Sequence, residues 1–348
     1  MENPKVSVLI PTLNAQKVLG KCLDSLLLQD YPKEKIEIIV ADGGSSDETM
    51  SIAKKFGVRV INNPLKTGEA GKMAALKVST GKYIALIDSD NILPDKDWLS
   101  RMIRPLEEHP EAVGSEPWEY VWRVEDGFIT RYCAMIGMND PLVLFLGKYD
   151  RRCLITNKWT EVSCKVNDLG DYLYVTFDKK GLPTIGANGT VFRADFLKKN
   201  PGNDYLFDID ILAKEIKDIG SVNFIKVKIG IIHTYCEKCV SKFINKQKRR
   251  VVDFLYHNFT KKDRDFDWLE QDIFGENPWG IVKFCLACFT VIPLLIQSFI
   301  GYCKKPDIAW FFHPLACELT FFVYSWYRVG YVFHQGKIKE YDRGKWSQ

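Results

Sequence analysis

Apolar runs of strand length alternate with apolar residues at helical spacing through the first hundred residues. Val6–Ile10 is a short continuous apolar run. In Gln16–Gln29, Leu19, Leu23, Leu26 and Leu27 recur at helical spacing. Ile36–Val40 reads as a second strand, and Ser45 with Glu48 forms the capping-box pattern that predicts the start of a second helix. Val58–Ile61 and Tyr83–Ile87 complete four strands, with another helix over Glu69–Val78. Such alternation implies right-handed crossovers and a mostly parallel, Rossmann-like α/β sheet with flanking helices. Ligands of these sheets bind outside the carboxyl ends of the strands. Pro11-Thr12, Asp42 and Asp88-Ser89-Asp90 all fall there.

From about Glu111 to Pro183 the pattern loosens and places no elements. Gly186–Arg193 reads as a glycine-rich loop leading into a strand or helix, and Asp204–Ile216 as a turn followed by a helix. From Val240, the residues Phe243, Ile244, Val251, Phe254 and Leu255 share one helix face, beside Lys246, Lys248, Arg249 and Arg250. That composition suits a helix lying in a membrane surface, and equally an ordinary docked surface helix. Phe284–Cys303 carries no charge and is long enough to cross a hydrocarbon core; Ile308–Tyr327 is a second apolar stretch, interrupted by Glu318. Trp279, Trp310, Trp326 and Tyr327 flank them as membrane-interface residues would, whereas two buried core helices are the plainer alternative. A membrane hairpin would need a partner or polar cavity for Glu318. The expected organisation is a catalytic domain over 1–238, interfacial helices over 239–280, two transmembrane helices over 281–333 and a basic cytoplasmic tail over 334–348.

Composition changes this picture little. The net charge of +4 lacks the one-sided basic footprint of a nucleic-acid binder. Nine tryptophans and a 13% aromatic share lean toward a membrane interface. Met1–Lys5 contains no apolar signal region, so the catalytic part is expected on the cytoplasmic side of a multi-pass membrane protein. The ten cysteines are irregularly spaced, which points to reduced thiols rather than a disulfide framework. Cys236 and Cys239, with His233 before them, make half of a zinc set, but four ligands are needed and no second cluster is visible.

The most informative chemistry is Asp88-Ser89-Asp90 after an apolar strand, an oxygen-rich pair suited to Mg²⁺ or Mn²⁺ and completed by phosphate oxygens. No GxGxxG follows the first strand, which disfavours a dinucleotide site. Lys66 stands where a phosphate-binding GxxxxGK loop would need its first glycine.

In these residues the chain resembles the inverting family-2 glycosyltransferases of the GT-A fold, over roughly residues 5–255. Val6–Asn14 is similar to the family's opening strand and base-binding loop, with Pro11 and Thr12, and Val40–Thr49 to its second motif, where Asp42 would contact the nucleobase. Gly68–Ala74 resembles the helix start near the ribose and phosphates, with Lys72 in the basic position. Ile87–Asn91 matches the metal motif, which implies Asp90 on the metal and Asp88 toward nucleotide or metal. Phe207–Asp210 stands where the cellulose-synthase-like branch carries its catalytic acids, which maps the base to Asp208, with Asp210 the competitor. Gln247 and Arg250 match QxxRW, but Val251 replaces the Trp, which puts processive polymer synthesis in doubt. Ala15, where the family often has Glu, leaves the base contacts open.

The resemblance implies transfer of a hexose to a hydroxyl of a lipid-linked or membrane-surface glycan. The plan resembles that of archaeal membrane mannosyltransferases of N-glycan assembly, so GDP-mannose is the first donor expected and UDP-sugars the second. The alternatives are a polyprenyl-phosphate hexose synthase resembling dolichyl-phosphate mannose synthases, a UDP-sugar-dependent polysaccharide synthase, and a catalytically inactive glycan-binding scaffold.

Overall fold

A computed structural model describes residues 3–186, 188–199, 204–206, 208–256 and 278–333. The proposed basic tail, part of the interfacial segment and Phe207 lie outside them. The chain forms two compact units. Of the described residues, one holds those up to Trp118 with Ser163–His233; the other holds Glu119–Val162, 234–256 and 278–333. The contiguous division expected at residue 238 is therefore not the one the fold makes, because Glu119–Val162 clusters with the second unit.

The first unit is built on β1 (Val6–Thr12), β2 (Ile36–Asp42), β3 (Arg59–Asn62) and β4 (Tyr83–Leu86), with α1 (Leu19–Leu27), α2 (Thr49–Lys55) and α3 (Gly68–Val78) between them. These four strands pair in parallel in the order β3-β2-β1-β4. Val6, Val8, Leu9 and Ile10 are buried, as befits a strand covered on both faces.

The expectation of a mostly parallel sheet fails beyond β4. β5 (Asn91–Ile92) and α4 (Trp98–Glu108) follow, then β6 (Ala112–Val121), β7 (Lys165–Asp168), β8 (Tyr172–Asp178), β9 (Thr190–Arg193) and β10 (Ser221–His233). β9 enters antiparallel between β4 and β6, and β8 pairs antiparallel with both β10 and β7. The sheet is mixed, since these strands are no longer joined by the regular βα crossovers that enforce parallel pairing. β5 leaves the main path to pair antiparallel with the end of β10, opposing Asn91 to His233.

The second unit contains α5 (Phe128–Ile136) and α6 (Pro141–Leu146) and, after the short α7 (Ala194–Lys198) and α8 (Asp208–Ile219) of the first, α9 (Val240–Leu255), α10 (Pro278–Thr290), α11 (Ile292–Lys304) and α12 (His313–Phe333). Its core joins Tyr132, Ile136, Tyr149, Phe243 and Trp310. The two apolar stretches expected as membrane spans do not form two straight helices. The first apolar stretch breaks into α10 and α11, bent by 95°. Pro293 cannot continue a helix from α10, and Val291 at the break takes the left-handed φ of 60°. Only Ile308–Phe333, among the described residues, is a single helical stretch long and apolar enough to cross a membrane.

Candidate active site

β1 and β2 end in register, Thr12 opposite Asp42. Thr12 donates from Oγ1 to Asp42 Oδ1 at 3.1 Å. The buried Asp42 carboxylate gathers its own loop, accepting the N–H groups of Gly44 and Ser45, both at 2.9 Å, on Oδ2 and the Ser45 hydroxyl on Oδ1. Ser45 is therefore not half of a capping box with Glu48. A buried carboxylate takes the nearby donors, and α2 starts at Thr49 without a side-chain cap.

α3 brings its amino terminus against the end of β1. Thr67 caps it, accepting from Ala70 N at 3.2 Å. A Cβ on Gly71 would stand 2.9 Å from Pro11 Cβ and 2.9 Å from Asn63 Nδ2, so only glycine permits this approach. One residue on, the buried Lys72 reaches Asp88 Oδ1 at 3.1 Å. Burial alone would lower the Lys72 pKa, but Asp88, Glu69 and Asp208 outweigh it and hold the ammonium charged above its ordinary value.

The turn after β4 is fixed from two sides. Asn91 accepts the Asp88 N–H on Oδ1 at 2.9 Å and donates from Nδ2 to Asn188 Oδ1 at 3.0 Å. Asn188 lies in the glycine-rich loop before β9, where Gly189 has φ +84 and a Cβ would meet Ile231 at 2.6 Å. His233, brought opposite Asn91 by the β5–β10 pairing, places Nε2 3.4 Å from Asp90 Oδ1. Its spacing from Cys236 and Cys239 suggests half of a zinc set. Here it faces the acid pair, and no cluster of three or more metal-ligating side chains occurs among the described residues. Among the described residues no disulfide joins any of the ten cysteines.

A divalent cation fits this donor set. Asp90 and His233 offer a carboxylate oxygen and an imidazole nitrogen side by side, while Asp88 is already engaged by Lys72. Such ions take one or two side chains and complete their shell with phosphate oxygens and water.

Asp208 opens α8. Its Oδ1 accepts from Ile209 N at 3.0 Å, and its buried Oδ2 has no hydrogen-bond partner. Burial pushes its carboxyl up to about 6, against the pull of Lys72 and the Ile209 N–H and with help from Glu116 and Asp210. Asp210 is buried further along the same turn. Behind them Glu116 and Lys226, both fully buried, pair at 2.6 Å, and Glu116 Oε1 also takes the Gly186 N–H and the Thr190 hydroxyl. Sequence spacing gave no sign of Glu116, Lys226 or Asn188, which come from separate strands and a loop.

Gln247 and Arg250 belong to the second unit. Gln247 Nε2 donates to Asn139 O at 2.9 Å, and Arg250 donates to Gln247 Oε1 at 2.6 Å and lies 3.6 Å from Asp140 Oδ2. Tyr324 donates to Asp140 as well. The guanidinium is thereby held in place by neighbours that the sequence motif does not name.

With this fold and site in place, residues 7–127 match the family described as Glycosyl transferase family 2. Over those residues the chain is similar to family 2 glycosyltransferases. Among relatives, the poly(ribitol-phosphate) β-N-acetylglucosaminyltransferase TarS of Staphylococcus aureus is 33% identical over 115 residues, 31% of this chain and 20% of that one. A Methanococcus voltae enzyme named dolichyl N-acetyl-α-D-glucosaminyl phosphate 3-β-D-2,3-diacetamido-2,3-dideoxy-β-D-glucuronosyltransferase is 28% identical over 120 residues, 31% of this chain and 37% of that one. The chain thus matches well under half the length of either relative. The mannosyltransferase PcManGT from Pyrobaculum calidifontis, solved with GDP-Man and Mn²⁺, superposes with a TM-score of 0.53 at 18% identity, covering 94% of this chain and 89% of that one. At that identity the likeness is one of fold.

Proposed function

We propose that the chain catalyses inverting transfer of a hexose from a nucleoside-diphosphate sugar to a hydroxyl of a lipid-linked saccharide at a membrane surface. The observation that carries this is Asp208, a carboxylate with one unpartnered oxygen and a pKa raised to about 6, standing across Lys72 from the Asp88–Asp90 turn. A sugar hydroxyl is a poor nucleophile and needs a base poised near the working pH. In the proposed reaction Asp208 Oδ2 takes the hydroxyl proton as the oxygen attacks the anomeric carbon. The bond to the donor phosphate breaks on the opposite face, and the nucleoside diphosphate leaves.

The other residues divide the remaining work. The Pro11–Thr12 and Asp42 loops shape the nucleobase end, and Lys72 with the α3 amino terminus faces the diphosphate, since helix starts favour anions. Asp90 and His233 would hold Mn²⁺ or Mg²⁺, with Asp88 oriented by Lys72. When bound, the cation neutralises charge on the departing diphosphate. Gln247 and Arg250 are proposed as donor-binding residues. GDP-mannose is the first donor proposed, with UDP-sugars second. The names of the lipid-phosphate and polymer-acting relatives support a glycan acceptor of either kind.

The deciding experiment is a donor screen by nucleotide release, with Mn²⁺, Mg²⁺ and EDTA, on the full chain. Metal-dependent release from one donor, lost in Asp208→Asn with donor binding intact, supports the reading. Undiminished turnover in Asp208→Asn would instead favour an acceptor already ionised, such as a polyprenyl phosphate.

A further inference from the structure

The three carboxyl-terminal helices bury one side and expose an apolar one. On α12, Leu315, Phe322, Trp326, Val329 and Phe333 are all exposed and fall on one side of the helix. On α10 and α11, Phe289, Ile292, Leu295, Ile296 and Phe299 are exposed around the bend. Apolar surface this extensive marks an interaction site rather than ordinary solvent exposure.

The packed side of α12 limits what covers the other. Its first residue, His313, meets the Tyr132 hydroxyl at 2.7 Å and Gln297 Oε1 at 2.8 Å. Midway, Tyr324 bonds to Asp140 and lies 3.2 Å from Gln247 Oε1. Near its end, Tyr327 and Tyr331 pack on Val251, Val252 and Leu255 of α9, with Lys248 over the Tyr327 ring. α12 is thus seated on polar-edged protein from one end to the other. Were it to cross a hydrocarbon core of about 30 Å, α9 with Lys248, Arg249 and Arg250 would be drawn in with it, at a cost of about 3 kcal/mol or more per charge. The charges nearby suit an anionic interface. Lys283, Lys304, Lys305 and Arg328 are exposed. Of the two acids in Pro278–Phe333, Asp307 is held by Arg131 in two hydrogen bonds at 2.9 and 3.1 Å.

We infer that the second unit docks on an anionic lipid surface as a monotopic platform, with no helix crossing the bilayer. α12 lies in the plane of the interface with its Leu315–Phe333 stripe among the upper acyl chains. The α10–α11 pair dips in and turns back at Val291, and Lys304 and Lys305 meet headgroups. This deepens the proposed membrane-surface reaction and rests on it only for its purpose.

The test labels the full chain with a fluorophore at Leu315→Cys, Phe322→Cys, Val329→Cys or Phe333→Cys, one at a time. Cys164, Cys239, Cys285 and Cys303, the accessible thiols, are replaced by Ser. Vesicles of phosphatidylcholine with phosphatidylglycerol carry nitroxides shallow or deep in the acyl chain. The expected result is the same shallow quenching at all four positions, at depths of about 5–10 Å. Binding of the unlabelled wild-type chain should fall about tenfold or more on pure phosphatidylcholine. Deep quenching at Phe322 between shallow ends would establish a spanning helix and overturn the proposal. So would an absence of vesicle binding by the wild-type chain, or a lipid-independent dimer that buries the stripe. Nucleotide titration with Mn²⁺ on the same proteins separates the two readings. Nucleotide binding without vesicle binding removes only the docking, and vesicle binding without nucleotide removes only the reaction.

Discussion

Asp208 begins α8 with Oδ1 on the Ile209 backbone and Oδ2 unpartnered, in surroundings that push its carboxyl to about 6. As a base it works only when ionised, so kcat/KM is expected to rise tenfold per pH unit below about 6 and level off above it. Asp208→Asn should lower turnover by about 10²–10⁴-fold and remove that limb, with donor affinity near normal. The same shift has a stability sign. The folded chain holds this proton more tightly than the unfolded one, so the contribution is present below the ordinary value of 3.8 and lost as pH rises through about 6. At pH 7 the Asn variant should therefore melt higher than wild type, a gain a merely structural aspartate would not give. For the cation pair, Asp90→Ala and His233→Ala should each abolish the Mn²⁺-dependent part of nucleotide binding, read by calorimetry with and without EDTA. Persistence of that part in both variants would remove the pair from the cation site.

At the scale of elements, the close seat of α3 on β1 depends on Gly71. Gly71→Ala forces a methyl against Pro11 and Asn63 at 2.9 Å and is expected to cost about 1–3 kcal/mol, with loss of nucleotide affinity as Lys72 shifts. Behind the site, Lys226→Met would strand Glu116 in a fully buried position, at about 3–5 kcal/mol in a denaturant melt. Glu116→Gln added to it should recover part of that loss. The contrast between these two elements shows what the sequence could reveal. The strands and helices around Thr12, Asp42, Lys72 and Asp88 were legible because each βα unit is local, with its polar residue at the end of an apolar run. His233 and Asn188 reach the same site only through β5–β10 pairing and the β9 insertion, which join residues more than ninety positions apart. Periodicity cannot report such pairings. The Ser45 capping box misled because Asp42, three residues earlier and buried at the strand end, takes the same hydroxyl.

For the whole molecule, the carboxyl-terminal apolar stretches are part of a folded core as well as a surface. From the sequence they read as a detachable hairpin, because length and hydropathy carry no information on what packs against one side. Trp310 is fully buried, its indole donates to Lys305 O at 3.0 Å, and its ring lies so close to Gly301 that a Cβ there would stand 2.4 Å away. Ala309, Phe312 and Ala316 share the cluster of Tyr132, Ile136 and Phe243. Each large apolar side chain in such a core contributes about 1.5–3 kcal/mol, against a total stability of about 5–15 kcal/mol for a typical domain. Removing Ile281–Gln348 should therefore unfold the second unit rather than release a soluble, merely unanchored enzyme. Limited proteolysis of the truncated chain is expected to degrade 119–162 and 234–256, while the sheet unit, whose core lies within β1, β2, β4 and their helices, stays resistant. The milder Trp310→Ala should cost about 3–5 kcal/mol and lower the melting temperature of the second unit. A truncated chain whose second unit keeps its protection and melts as before would show that these helices only anchor.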